Sequence, residues 1–279
     1  MSLRVYGHQH FWSIQRGDYG WLTPSLALLY RDFMPPDLKP HLNRAGIDRT
    51  VLVQAAPSID ETRFLLDIAK NDPIVAGVVG WINMDVPSEA LKALDEFVKH
   101  PKFVGVRPMI QDIEDPSWIA KPELGIVLDA LIENGKCFDA LVQSVHLPWL
   151  LNCLTRHPEL RVVIDHGAKP NIAGGEWQPW ADNIAAIAEN TNAYCKLSGL
   201  ITETHESQSF DDIDRYFSHL LKSFGPERLM WGSDWPILNL SSDYESWHKK
   251  TTELINQLSE HDQVKIFGDN AIKFYKLIQ

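Results

Sequence analysis

Along this chain, short apolar and β-branched runs alternate with longer stretches in which apolar residues recur at helical spacing. The runs at 3–10, 50–55, 75–83, 103–108, 137–142, 161–165, 193–197 and 228–232 read as strands. Most are apolar at consecutive positions, the pattern of parallel strands covered on both faces. Between them, 59–70, 88–100, 123–134, 147–156, 180–189 and 212–224 read as helices. Pro87-Ser88-Glu89 and Pro122-Glu123 carry proline and acid where a helix begins, and Gly46, Gly135 and Gly225 stand where helices end.

Eight strands alternating with helices predict an α/β fold, a (β/α)8 TIM barrel. A doubly wound open sheet is the runner-up. Its first strand would open onto a glycine-rich phosphate loop, and His8-Gln9-His10-Phe11-Trp12 stands there instead. No repeat, low-complexity tract or linker interrupts 1–279, so the chain reads as one barrel domain. Two connections, 11–33 and 167–179, are longer than a barrel needs, and both follow C-terminal strand ends, where barrel active sites are built. The first carries Trp12, Asp18, Tyr19, Trp21 and Tyr30, the second Lys169, Asn171, Gly174, Gly175 and Trp177. Their aromatics either pin the loops or line a site.

Hydrophobic residues make up 44% of the 279, enough for a large core. A net charge of -11 argues against nucleic acid or an anionic membrane as partner, but leaves a small anion possible wherever basic residues cluster. Cys137, Cys153 and Cys195 are odd in number and lack C-x-x-C spacing, which suits buried reduced thiols. The first residues show no apolar signal core, and no run approaches the ~18 apolar residues of a membrane span, so a cytoplasmic location is expected.

Candidate chemistry gathers at strand exits. Residues i and i+2 of a strand share a face, so His8 and His10 project side by side, and imidazole pairs suit a divalent metal or proton transfer. His166 follows Val162-Val163-Ile164-Asp165, and Asp234 follows Trp231-Gly232-Ser233. Asp234 reads as a metal ligand or general base, or as a helix cap before Pro236; His166 reads as a ligand or proton carrier, or as support for the loop after it. Arg107 ends a strand where a guanidinium can clamp a carboxylate or carbonyl oxygen, or pair with a neighbouring acid. Gln54, Trp81, Trp12 and Lys169 are placed to line the pocket, while Asp139, Lys196 and Ser198 read as structural or functional alike. No nucleophile elbow or Ser-His-Asp order occurs, so attack by an activated water fits better than covalent catalysis.

Four motifs in order, His8-Gln9-His10-Phe11-Trp12, Asp165-His166-Gly167-Ala168-Lys169-Pro170, Cys195-Lys196-Leu197-Ser198-Gly199-Leu200 and Trp231-Gly232-Ser233-Asp234-Trp235-Pro236, span nearly the whole chain. Together they resemble the amidohydrolase superfamily, in its branch of sugar lactonases such as the L-fucono- and L-rhamnono-lactonases. The resemblance implies a barrel of the metal-dependent-hydrolase type, with a site formed by His8, His10, His166 and Asp234. It also implies hydrolysis of a sugar-acid lactone, with Asp234 as base and Arg107 orienting the substrate. Tyr6 stands where the family often has an acid, and Pro108 where relatives commonly carry histidine. No lysine ends strand four and no histidine lies in 137–142, so a two-metal centre is not implied. One divalent ion, zinc first, would be held by His8, His10 and Asp234, with His166 as a further candidate; metal-independent catalysis is a close alternative. Two other readings remain: a metal-dependent decarboxylase, which would ordinarily bring another histidine midway, and a non-catalytic binder of sugar acids, which would not need Asp234 as a proton acceptor. The oligomeric state is not legible.

Overall fold

The computed structural model describes residues 3–277. Eight strands, β1 (Val5–Gln9), β2 (Arg49–Val53), β3 (Val75–Gly80), β4 (Phe103–Val106), β5 (Cys137–Ala140), β6 (Val162–Ile164), β7 (Tyr194–Leu197) and β8 (Leu229–Trp231), form one parallel sheet in sequence order. The sheet curls until its ends meet. His10 N donates to Trp235 O at 2.8 Å and Asp234 N to His8 O at 3.2 Å, so the nearly closed seam lies at the first and last motifs.

The helices between strands are α1 (Pro35–Ala45), α2 (Ile59–Asn71), α3 (Pro87–Phe97), α4 (Gly125–Glu133), α5 (Leu147–Arg156), α6 (Trp180–Asn190) and α7 (Asp214–Phe224); α8 (Tyr244–Ile255) follows β8. The apolar pattern of the sequence does not delimit α1 or α8. Pro35, Pro36 and Pro40 obscure α1, although proline is tolerated in a first turn and Asp37 accepts from Met34 N at 2.9 Å. The buried stripe of α8 is thin, Tyr244, Trp247, Thr251 and Ile255 in an otherwise polar helix. The strands predicted at 75–83 and 103–108 stop early. Beyond β3 the backbone turns to side chains, with Trp81 N donating to Thr62 Oγ1 at 2.8 Å.

Two apolar layers hold the barrel. The outer one lies between strands and helices. The inner one gathers Val5, Val51, Val53, Val79, Val104, Cys137, Val163 and Met230 with Ala271, Phe274 and Tyr275. The last three belong to the C-terminal helix α9 (Asn270–Tyr275), which plugs the end where the strands begin. Cys137, Cys153 and Cys195 are free and buried.

A bulge in β1 sets the parity of the site. Tyr6 pairs with Thr50 but Gln9 with Leu52, three residues advancing against two. An extra residue flips every later side chain to the opposite face. Val5 is therefore inside, Tyr6 packs outside, and His8 and His10 return to the interior.

Candidate active site

The four residues expected at strand exits meet at one end of the barrel. His8 Nε2 lies 3.2 Å from His10 Nε2 and 3.4 Å from Asp234 Oδ1. The same carboxylate oxygen is 3.0 Å from His10 Nε2 and 3.7 Å from His166 Nε2. All four residues are buried, yet His10, His166 and Asp234 line a cavity of about 240 Å³.

The backbone is strained to achieve this. His166 (φ 54°), Ala168 (φ 63°), Lys169 (φ 45°) and Asp234 (φ 63°) all lie in the left-handed region. Such conformations cost about 1–3 kcal/mol each for residues with a side chain, and they persist where the surroundings over-determine them. Here Lys169 N donates to His166 O at 2.9 Å, Trp180 Nε1 to Gly167 O at 2.7 Å, and Leu238 N to Asp234 O at 3.1 Å. Tyr6 bonds Ser233 Oγ and receives Trp235 N at 3.2 Å. It supports the Asp234 turn from outside the barrel.

Arg107 lines the cavity with 3% of its surface exposed. Its Nη1 meets Asp165 Oδ2 at 3.2 Å, its Nη2 donates to Gln54 O, and its Nε has no partner in the protein. The expected pair with a neighbouring acid is present, and two of its nitrogens are tied to neighbours. Gln54 does not reach the cavity; it donates to Arg107 O at 2.7 Å and braces that strand end. Trp12 is also away from the cavity, buried behind Trp21 at 5.4 Å between ring centroids and donating to Arg31 O at 2.8 Å. Trp81 lines a separate surface hollow with Met84 and Trp118. Lys169 does line the cavity, 3.7 Å from Glu203 Oε1.

Trp21 and Ser198, left open by the sequence, contribute here, and Met109, Gln111, Asp112 and Leu240 join them without a sequence signal. Trp21 forms one wall, with Met109, Gln111, Asp112 and Leu240 around the mouth. Ser198 Oγ lies 2.8 Å from His166 Nδ1. Gly199 and Gly232 make room for the imidazoles: a Cβ would sit 2.5 Å from His166 Nδ1 in the first case and 2.8 Å from His8 Cβ in the second. The glycines in Ser198-Gly199 and Gly232-Ser233 were the available signal.

Burial pushes His166 down to about 4, despite the opposing pull of Asp234 and Asp165. Burial and the Lys196 ammonium hold His8 well below the ordinary histidine value. Burial would raise Asp234, but His166, His10 and His8 outweigh it and keep the carboxyl below its usual range. At neutral pH the site therefore offers neutral His8 and His166 around an anionic Asp234.

This is the state in which such groups bind a cation. His10 Nδ1 is 2.8 Å from Val53 O, which can only accept, so in the neutral ring Nε2 presents a lone pair. That lone pair faces Asp234 Oδ1, another acceptor, at 3.0 Å, a contact that calls for a proton or cation between them. Ligand atoms of His8, His166 and Asp234 also lie within 4.8 Å of one another, so His166 stands as near the shared centre as the residues first expected there. The donor set fits a divalent ion.

The amidohydrolase family matches this chain over residues 6–277. An L-fucono-1,5-lactonase of Burkholderia ambifaria is 40% identical across 99% of this chain and 97% of its own length. An L-fucono-1,5-lactonase of Burkholderia multivorans is 30% identical, covering 99% and 97%. The crystal structure of an amidohydrolase from Burkholderia multivorans with bound zinc shares the fold with a TM-score of 0.91 at 30% identity, over 99% of this chain and all of that one. With its eight-stranded barrel and its His/Asp cluster at the strand ends, this chain belongs to the amidohydrolase family.

Proposed function

We propose that this chain hydrolyses a sugar-acid lactone to its hydroxy acid, with Asp234 as general base. The observation that carries the reading is the strained, anionic Asp234 held among imidazoles at the edge of the cavity. In this scheme Asp234 takes a proton from water as the water oxygen adds to the lactone carbonyl carbon. The Arg107 guanidinium, which lines the cavity, stabilises the carbonyl oxygen as it gains charge. The tetrahedral adduct then expels the ring oxygen, which recovers a proton from Asp234. The new carboxylic acid ionises in solution, so each turnover releases one proton.

Gln111, Asp112 and Lys169, with the indole of Trp21, give the cavity polar and aromatic walls that suit a hydroxylated ring. The two L-fucono-1,5-lactonase relatives support the same substrate class. A divalent ion, zinc first, would be held by His10, His166 and Asp234, and by His8 if its Nε2 is free. Such an ion would polarise the carbonyl and lower the pKa of water. A panel of aldonolactones that includes L-fucono-1,5-lactone, followed with a pH indicator, tests the reading. Proton release is the expected result; release of carbon dioxide from carboxylated aromatics would point to a decarboxylase, and binding without turnover to a sensor.

A further inference from the structure

Deeper in the barrel than the histidines lies a buried charge cluster that the scheme above does not use. Lys196, two positions before Ser198 on β7, places Nζ 2.5 Å from Asp139 Oδ2, 2.9 Å from Asp165 Oδ1 and 3.0 Å from His8 Nδ1. Tyr275 of the C-terminal helix donates to the same Asp139 oxygen at 2.8 Å, and Arg107 holds the other oxygen of Asp165 at 3.2 Å. None of these side chains is more than 4% exposed.

Between two carboxylates Lys196 keeps its ammonium form. An ammonium has three donors and no acceptor, so each of its hydrogen-bond partners must accept. The contact with Asp165 Oδ1 is an ion pair without an aligned hydrogen bond, whereas those with Asp139 Oδ2 and His8 Nδ1 are aligned. A neutral imidazole that accepts at Nδ1 carries its proton on Nε2. The rival arrangement has His8 Nδ1–H donating to Asp165 Oδ1 across 3.4 Å. That bond is longer, and it would set an N–H against the ammonium at 3.0 Å.

We propose that Lys196 is a positioning residue that fixes the tautomer of His8, so that His8 presents Nε2–H to Asp234 and serves the site as a hydrogen-bond donor rather than a metal ligand. The donated proton points toward Asp234 Oδ1 at 3.4 Å. It orients the oxygen that would receive the proton from water. Only this kinetic consequence rests on the lactonase reading; the tautomer does not.

Neutron diffraction from deuterium-exchanged crystals of the unaltered, chelator-treated chain tests the proposal directly. Deuterium on His8 Nε2, none on Nδ1, and three deuterons on Lys196 Nζ are expected. Deuterium on His8 Nδ1 overturns it. A second arm uses the charge-balanced double variant Asp139→Asn/Lys196→Met with 15N-histidine labelling. The His8 nitrogen shifts should move toward the Nδ1–H tautomer, zinc should be harder to strip with a competing chelator than from the parent, and kcat should fall on the order of 10–100-fold with KM little changed. Lowered stability with an unmoved His8 signature would make Lys196 merely structural and overturn the proposal. If the double variant fails to fold, the neutron result still decides. If the parent opens no lactone, the functional reading fails while the tautomer assignment stands or falls on its own.

Discussion

Gly199→Ala separates the position of His166 from the stability of the barrel. Gly199 has φ +64°, and a Cβ built on it would lie 2.5 Å from His166 Nδ1, 2.6 Å from Cγ and 2.8 Å from Cβ. Ordinary contacts between such atoms are about 3.5–4.0 Å, so the imidazole must retreat by roughly 1 Å. Retreat breaks the 2.8 Å contact with Ser198 Oγ and moves Nε2 relative to Asp234. A misplacement of about 1 Å costs on the order of 10²-fold in rate, while an alanine in the left-handed region costs only about 1–2 kcal/mol. Gly17→Ala is the control, because Gly17 is left-handed at φ +72° and ψ 5° and nothing lies within 4 Å of the added Cβ. The assay is kcat/KM for an aldonolactone by proton release, beside thermal melting. Both variants should lose several degrees in Tm, at roughly 2–4 °C per kcal/mol for a chain of this size. Only Gly199→Ala should lose about 10²-fold in kcat/KM. A Gly199→Ala enzyme with parent-like kcat/KM would refute the requirement for His166 in its present place.

Other outcomes follow from the same geometry. Arg107→Met removes a guanidinium that lines the cavity, and a charged hydrogen bond is worth about 1.5–3 kcal/mol, so kcat/KM should fall at least tenfold; an unchanged value would assign Arg107 to its Asp165 pair alone. His166 titrates near 4 in the folded state, below its ordinary 6.5, so it contributes stability that is complete above 6.5 and lost as pH falls toward 4. In urea titrations of metal-free protein, the parent should therefore lose about 3 kcal/mol more than His166→Gln between pH 7 and pH 4, and parallel losses would contradict the shift. After dialysis against zinc and then buffer, the parent should retain about one ion per chain and His10→Ala markedly less. Equal retention would place the ion elsewhere.

The barrel was legible because its parallel strands are buried on both faces, which leaves consecutive apolar runs that stand out from amphipathic helices. The site was legible where chemistry sits at strand ends: His8, His10, His166 and Asp234 meet as expected. That success hid an accident of parity. Strict alternation from Val5 would have turned both N-terminal histidines outward, and only the bulge between Tyr6 and Gln9 brings them inside. Gln54 and Trp12 show the opposite difficulty. Sequence position put them near the mouth, but Gln54 spends its amide on Arg107 O and Trp12 is buried behind the Trp21 wall. The cluster of Asp139, Asp165, Lys196 and Tyr275 was beyond reading, because β5, the turn after β6, β7 and the C-terminal helix each supply one member and only the closed barrel makes them neighbours. Gly199 and Gly232 matter through the space they leave empty, and the glycine itself is the one sign of it in the sequence.

The most direct test of Asp234 as the base is proton release from L-fucono-1,5-lactone by the parent and by Asp234→Asn, each treated with chelator and each checked by circular dichroism for an intact fold. The asparagine keeps the shape of the side chain and removes its capacity to take a proton. Removal of a general base is expected to lower kcat by about 10²–10⁴-fold with the fold unchanged. Turnover by the folded Asp234→Asn protein at the parental rate would contradict the assignment.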